Sequence, residues 1–252
     1  RHPDHGLSLV PPKSALWLNY AGQRIGPKPL ITAYDTRFLV EQICQQPKKY
    51  SWQLLNYKIA KKEFAISGSQ HNELVRDKKF LPFVYQTLVT GNRKLVDKVI
   101  EKCEDIVIGN SLAELVEKMN GLTGTQDVQL STMKAAVQQY DAQIDLGEDN
   151  FTDEQLLRIK AARTYRGDRV RTCKFQKILD PDAMPLIAIR EDLSQYSFQW
   201  FRREHDTQNE FTKVANANQQ KYVLKGEDQG FQFKVQVTKK KTSDSKSATN
   251  NK

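Results

Sequence analysis

Two short stretches of this chain carry residue types that can do chemistry. The first is SGSQHN, in which Ser67, Ser69, Gln70 and Asn72 stand almost in succession. It follows an apolar, strand-like segment, SWQLLNY, and a charged turn or helix, KIAKKEF. Hydroxyls and amides presented at the end of an apolar element can hydrogen-bond a ligand, and the same residue types also build loops that cap their own backbone. The second stretch is ARTYRGD, which places Tyr165 between Arg163 and Arg166 and ahead of Gly167. A phenol helped by a guanidinium can give a proton to a substrate carbon or take one from it. The other reading is a Tyr packed at a helix end. Arg37 can bind an anionic group or lie on a helix surface.

Other chemistries find no support. The three cysteines, Cys44, Cys103 and Cys173, are widely spaced, and His2, His5, His71 and His205 are scattered, so no zinc pattern is present. The thiols read as free in a reducing, cytoplasmic compartment. No GxGxxG follows a strand, and neither a P-loop nor a GxSxG elbow occurs. Asp180 and Asp182 flank a proline, as turn residues do. No apolar run approaches the ~20 residues that span a bilayer. The formal charge is +9 over 252 residues. The last fourteen residues, KKKTSDSKSATNNK, hold five Lys against one Asp, and the rest of the charge is mixed with acids. No aromatic and basic stripe of the single-strand-binding kind is evident. The expected partners are therefore a small-molecule substrate, with neither nucleic acid nor membrane.

The elements that must position the two stretches are read from periodicity. SALWLN is a strand and YAGQRI its hairpin return, with Gly22 in the turn. A helix starts near Asp35, its N-cap, and ends before Pro47. Asp77 to Thr90 and Arg93 to Glu104 are helical, and EDIVIGN is a strand. Ser111 and Glu114 form a capping box for a helix that Gly121 closes. Val128 to Ile144 is a helix closed by Gly147, and Thr152 with Gln155 forms a capping box before EQLLRIKAAR. RTCKFQKILDPDAMPLIAIR reads as strand, turn and strand. YSFQWFRRE, KYVLKGEDQG and FQFKVQVTKK alternate with period two, as antiparallel strands do. The fold class is α+β: a cap-like region over residues 1–190 with a small sheet and a helical part over about 77–166, then a β-rich segment over 191–238, possible as an immunoglobulin-like module, then a disordered basic tail over 239–252.

Several stretches, in order, resemble one family. YSWQLLNYKIAKKEFAISGSQHN, SALWLNYAGQRI, DIVIGNSLAELVEKMNGLTG, IKAARTYRGDR and RTCKFQKILDPDAMPLIAIR are similar to segments of the FAD-binding dehydrogenases related to 3-ketosteroid dehydrogenase and the fumarate reductase flavoprotein. The resemblance covers about residues 5–190 and falls mainly on the cap that closes over the flavin in that family. It implies oxidation or reduction of a CH–CH bond next to a carbonyl or carboxylate, with Tyr165 as acid or base and Ser67, Ser69, Gln70, Asn72, Arg163 and Arg166 as substrate contacts. Arg24 matches a G-x-R near the family's cap hinge, and a salt bridge or packing role is its other reading. The family's glycine-rich FAD segments are absent between Arg1 and Lys252, and a chain beginning at Arg1 reads as a fragment. The expectation is a cap region that neither retains FAD nor turns over alone. The alternative is a non-catalytic interaction protein made of an orphaned cap and a β-module.

Overall fold

The computed structural model describes residues 9–10, 12–26, 28–29, 31, 36–66, 73–192, 196–205, 207–218 and 222–239. The chain divides into two compact units, Arg1–Glu191 and Asp192–Lys252.

The first unit is built on a four-stranded sheet in the order β2-β3-β6-β5, where β2 is Leu16–Asn19, β3 Tyr50–Asn56, β5 Ile106–Gly109 and β6 Leu186–Asp192. Leu16 pairs antiparallel with Leu54 and Ile106 with Ile189. A two-residue pair, β1 (Leu9–Val10) with β4 (Ala65–Ile66), stands beside it as a separate small sheet. β2 turns through Asn19, whose side-chain oxygen accepts from Ala21 N and Gln23 N at 2.9 Å each, and Gly22 supplies the positive φ of 86°. This is the hairpin expected of SALWLNYAGQRI.

All seven residues of β3 are buried, so its pattern does not alternate. A strand covered on both faces reads as a continuous run. Two of its polar members are paired inside: Gln53 Nε2 donates to Glu191 Oε1 at 2.7 Å, and Asn56 Nδ2 donates to the Lys177 and Ile178 carbonyls, while the buried Ser51 hydroxyl has no partner among the described residues. Asn56 also accepts from Ile59 N, and so caps α2 (Tyr57–Glu63) directly at the end of the strand.

The helices follow in chain order. α1 is Thr36–Cys44, α3 Glu73–Arg76 and α4 Phe80–Tyr85, the last continued by a π-helical turn over Gln86–Thr90. α5 is Arg93–Lys102, α6 Leu112–Thr123, α7 Leu130–Leu146, α8 Glu154–Ala162 and α9 Arg166–Arg171. Leu115, Met119, Met133, Val137, Tyr140 and Leu156 close the core over the sheet. Gly109 ends β5 where a Cβ would lie 2.9 Å from the backbone nitrogen of Leu115, so only glycine lets α6 pack this close to the strand.

Three details depart from the sequence reading. α6 runs through Gly121 and stops at Gly124, which holds the left-handed conformation (φ 66°, ψ 26°), because the buried Asn120 side chain binds Val128 N and O and keeps the last turn helical. The cap of α8 is Asp153, not Thr152: its carboxylate accepts from Gln155 N and Leu156 N, while Thr152 is drawn to Gln143. Of the segment RTCKFQKILDPDAMPLIAIR only β6 is a strand. The backbone before it is spent on side chains, Asp141 accepting from Ile178 N at 2.7 Å and Leu179 N at 2.9 Å, so no partner strand is needed. The Asp35 cap lies outside the described residues.

The second unit holds one antiparallel sheet in the order β8-β7-β9, where β7 is Tyr196–Glu204, β8 Thr212–Lys213 and β9 Phe231–Lys239. KYVLKGEDQG is not a strand. Asp228 gathers Arg202 at 2.8 Å, the Tyr222 hydroxyl and Lys225 N at 2.9 Å each, and that winds the segment into a short 3-10 turn. An immunoglobulin domain packs two sheets; among the described residues this unit has one. Most of the tail, residues 240–252, lies outside them.

Candidate functional site

Tyr165 sits between α8 and α9 with extended backbone (φ −78°, ψ 131°). Its ring is 72% exposed and its hydroxyl has no partner among the described residues. Two backbone bonds hold the turn: Tyr165 N donates to the Ala162 carbonyl at 3.1 Å and Arg169 N donates to the Tyr165 carbonyl at 2.9 Å. Arg163 closes it from within. Its guanidinium donates to the Thr172 carbonyl, to Cys173 O at 3.1 Å and to Arg169 O at 3.3 Å, and lies 5.9 Å from the Phe175 ring. Arg163 therefore spends its charge on the shape of the loop. Arg166, the first residue of α9, is exposed beside Tyr165.

The turn is anchored by a carboxylate that the sequence reading did not single out. Glu63, the last residue of α2, accepts from Ser14 N at 3.0 Å, Ser14 Oγ at 2.6 Å and Cys173 N at 2.7 Å. Burial pushes its carboxyl up, and the Ser14 and Cys173 bonds with the nearby Lys13 charge offset part of that. The same burial, with Glu63 adding its charge, pushes the Cys173 thiol up. Lys13 pairs with Asp168 of α9 at 2.5 Å. Glu63 thus ties three pieces of chain: the approach to β2, the Arg163–Cys173 loop, and α2, which leads through β4 to residue 66.

A second node continues the network. Arg24 is held by Asp153 through two bonds and by Gln155 Oε1 at 2.6 Å, with its guanidinium 5.5 Å from the Tyr140 ring. Gln155 Nε2 in turn donates to the Lys13 and Ala15 carbonyls at 2.9 and 2.8 Å. Burial pushes the Tyr140 phenol up, and its hydroxyl has no partner among the described residues. An open cleft of about 470 Å³ lies beside this node, lined by Arg24, Gly26, Pro29, Gln143 and Asp153 among others. Arg24 is occupied by its carboxylate partner, as its salt-bridge reading has it.

Ser67, Ser69, Gln70 and Asn72 lie outside the described residues, and so does the side chain of Arg37. The approaches to residues 67–72 and to the Tyr165 turn are nevertheless tied at one node, because Glu63, four residues before Ser67, bonds Cys173, eight residues after Tyr165. Lys13, Ser14, Glu63 and Asp153 gave no local signal, and Gln155 read only as a capping-box residue. A Glu in the last turn of a Lys-rich helix reads as a solvated charge, and its partners are 49 and 110 residues away.

The strand–glycine–helix junction of β5, Gly109 and α6 has its amino end already closed: Ser111 Oγ accepts from Glu114 N at 3.2 Å, and Glu114 Oε2 accepts from Asn110 N at 2.7 Å. A carboxylate seated there opposes a phosphate. Among the described residues no group of three or more His, Cys, Asp or Glu is placed to hold a metal ion, and no helix is long and apolar enough to cross a membrane.

No family model matches the chain. Over 189 residues, 75% of its length, it is 36% identical to a KsdD-like steroid dehydrogenase of Mycobacterium tuberculosis, and it spans 33% of that protein. Over 190 residues it is 34% identical to a KsdD-like steroid dehydrogenase of Mycolicibacterium smegmatis, spanning 34% of it. Among solved structures it aligns over 72% of its length with 21% of the open conformation of a flavocytochrome c3 fumarate reductase, at 15% identity and a TM-score of 0.33. It aligns over 73% of its length with 86% of a fumarate reductase flavoprotein subunit from Lactobacillus plantarum, at 14% identity and a TM-score of 0.35. The structural likeness is too loose to carry weight. The sequence kinship is clear, and the chain spans about a third of the length of the curated relatives it matches.

Proposed function

We propose, on the premise that three quarters of this chain is kin to one third of the KsdD-like steroid dehydrogenases, that its first unit is the substrate-facing cap of an FAD-dependent oxidoreductase acting on a CH–CH bond next to a carbonyl or carboxylate. The observation that carries this reading is the Glu63 node, which fixes the exposed Tyr165 turn against the chain entering residues 67–72. In this reading the Tyr165 phenol exchanges a proton with the substrate carbon, and Arg166 beside it supplies positive charge as the phenolate forms. Arg163, bound to three carbonyls, acts by keeping the turn in shape. Ser67, Ser69, Gln70 and Asn72 contact the polar end of the substrate. FAD belongs to the part of such an enzyme that this chain does not match. The setting is cytoplasmic and nucleic acid has no part in it.

The test is a chimera in which residues 9–192 replace the matching third of the Mycobacterium tuberculosis relative. The chimera is expected to reduce a dye when given a 3-ketosteroid or, failing that, a small dicarboxylate. Tyr165→Phe is expected to lower kcat by about 100-fold with little change in KM. A chimera that folds and loads FAD but turns over none of these substrates overturns the reading. The 252-residue protein alone is expected to show no visible flavin absorbance, and a flavin spectrum would refute that part.

A further inference from the structure

The helix α4, with its π-helical continuation over Gln86–Thr90, leaves most of its apolar side chains in water. A surface helix normally buries its apolar stripe and shows water its polar face. Here the side held to the body of the unit carries Phe83, Val84, Gln86 and Thr87, all half-buried. Lys62 Nζ donates to the Thr87 carbonyl at 2.8 Å, Gln86 Nε2 donates to Asn92 Oδ1 at 3.3 Å, and Asn92 N donates to the Lys61 carbonyl at 2.7 Å. The other apolar side chains face outward: Phe80 is 72% exposed, Leu81 78%, Tyr85 60%, Leu88 54% and Val89 66%. Their spacing, i, i+1, i+5, i+8 and i+9, makes one continuous stripe. No residue of α3, α4 or the π turn is buried. An exposed apolar patch of this kind marks a surface that something covers.

The charges around the stripe say what kind of cover fits. Between Glu73 and Lys94 the chain carries five basic residues against two acidic ones. Both acids are already paired, Asp77 with Arg76 at 2.8 Å and Glu73 with Lys94 at 3.5 Å. Lys78 and Lys79 are exposed, have no salt bridge among the described residues, and directly precede Phe80. Aromatic and aliphatic side chains in one stripe with lysines at its edge are what a helix needs to lie in a bilayer interface, apolar side down and ammonium groups among the phosphates. A surface contact of this kind needs no membrane-spanning helix.

We propose that the segment from Lys78 to Thr90 docks on an anionic lipid bilayer, with Phe80, Leu81, Tyr85, Leu88 and Val89 immersed below the headgroups and Lys78 and Lys79 against the lipid phosphates. The inference goes beyond the substrate reading and does not rest on it, since it needs neither flavin nor steroid.

The test uses the 252-residue protein in flotation with vesicles of phosphatidylcholine alone and of phosphatidylcholine mixed with phosphatidylglycerol. Binding is expected to the mixed vesicles and to weaken with salt. Leu81→Ser with Leu88→Ser is expected to lower the partition coefficient at least about tenfold, and Lys78→Glu with Lys79→Glu to lower it by a similar factor. The indole introduced by Leu81→Trp is expected to shift its emission to the blue on vesicles and to be quenched by brominated acyl chains. Vesicle binding that survives Leu81→Ser with Leu88→Ser, with no shift of that indole, is binding by the lysine-rich chain terminus and overturns the proposal. So does a dimer, seen by sedimentation without lipid, that Leu81→Ser converts to a monomer, because a second copy then covers the stripe. Absence of both vesicle binding and self-association overturns it in favour of a protein partner. All these positions are exposed, so the variants are expected to fold, which circular dichroism checks.

Discussion

Two regions of the first unit use their side chains in opposite senses. Around Glu63 and Arg24, charged groups lie inside and nearly every one is matched: a carboxylate with three donors, a guanidinium with a carboxylate and an amide. Along α4 and its π turn, Phe80, Leu81, Tyr85, Leu88 and Val89 lie more than half exposed. The first region is costly to bury and is held by these bonds, although Arg24 Nε and the Tyr140 hydroxyl have no partner among the described residues. The second gains nothing from its exposure and so reports a use outside the fold. Reading the two together separates what holds this unit in shape from what it offers to a partner.

The comparison can be broken at four places. The largest effect is expected from Glu63→Ala, which strands the Ser14 and Cys173 donors inside the protein. Urea unfolding should show a loss of about 3 kcal/mol, and Glu63→Gln should recover part of it. Asp153→Ala removes both the cap of α8 and the partner of Arg24, and a loss of roughly 2 kcal/mol is expected in the same measurement. Glu191 tests the pH dependence. Burial raises its carboxyl from 4.5 to about 7, opposed by the Gln53 bond and helped by the nearby Asp105 charge. The folded protein then holds a proton that the unfolded chain has released, so stability should fall as pH rises from about 4.5 to about 7 and level off above. Glu191→Gln should flatten that segment, which amounts to about 3 kcal/mol at most. Smallest of all, Leu81→Ser should change stability by no more than about 0.5 kcal/mol. A large loss there would mean that the stripe is part of the core after all.

How much of this was legible beforehand differs from element to element. Ser111, Glu114 and the apolar positions of α6 were readable because every partner lies within about one turn: Ser111 caps Glu114 N as spaced, while the Glu114 carboxylate reaches one residue further back, to Asn110 N. The end of that helix was not, because Gly121 and Gly124 are equivalent by sequence. Only the Asn120 side chain, bonded to Val128 across the following loop, carries the helix on to the second. The cap of α8 was misplaced for a similar reason: Thr152 is a good cap by type, but Gln143 from the preceding helix takes it. Tyr165 was legible as a residue able to do chemistry. Its exposure, and the division of labour between Arg163 and Arg166, were not.

The sequence by itself determined the local grammar of the chain and its kinship, because caps, turns and ordered short motifs depend on neighbours a few positions apart. It named SGSQHN and ARTYRGD as the stretches to watch. Tertiary structure alone decided that the approaches to both meet at Glu63, since Ser14 and Cys173 are brought to one carboxylate from 49 and 110 residues away. It alone decided that the stripe of α4 faces outward. Periodicity fixes which residues share a helix face, but which face meets the core depends on where Lys62 and Asn92 stand to hold the other side.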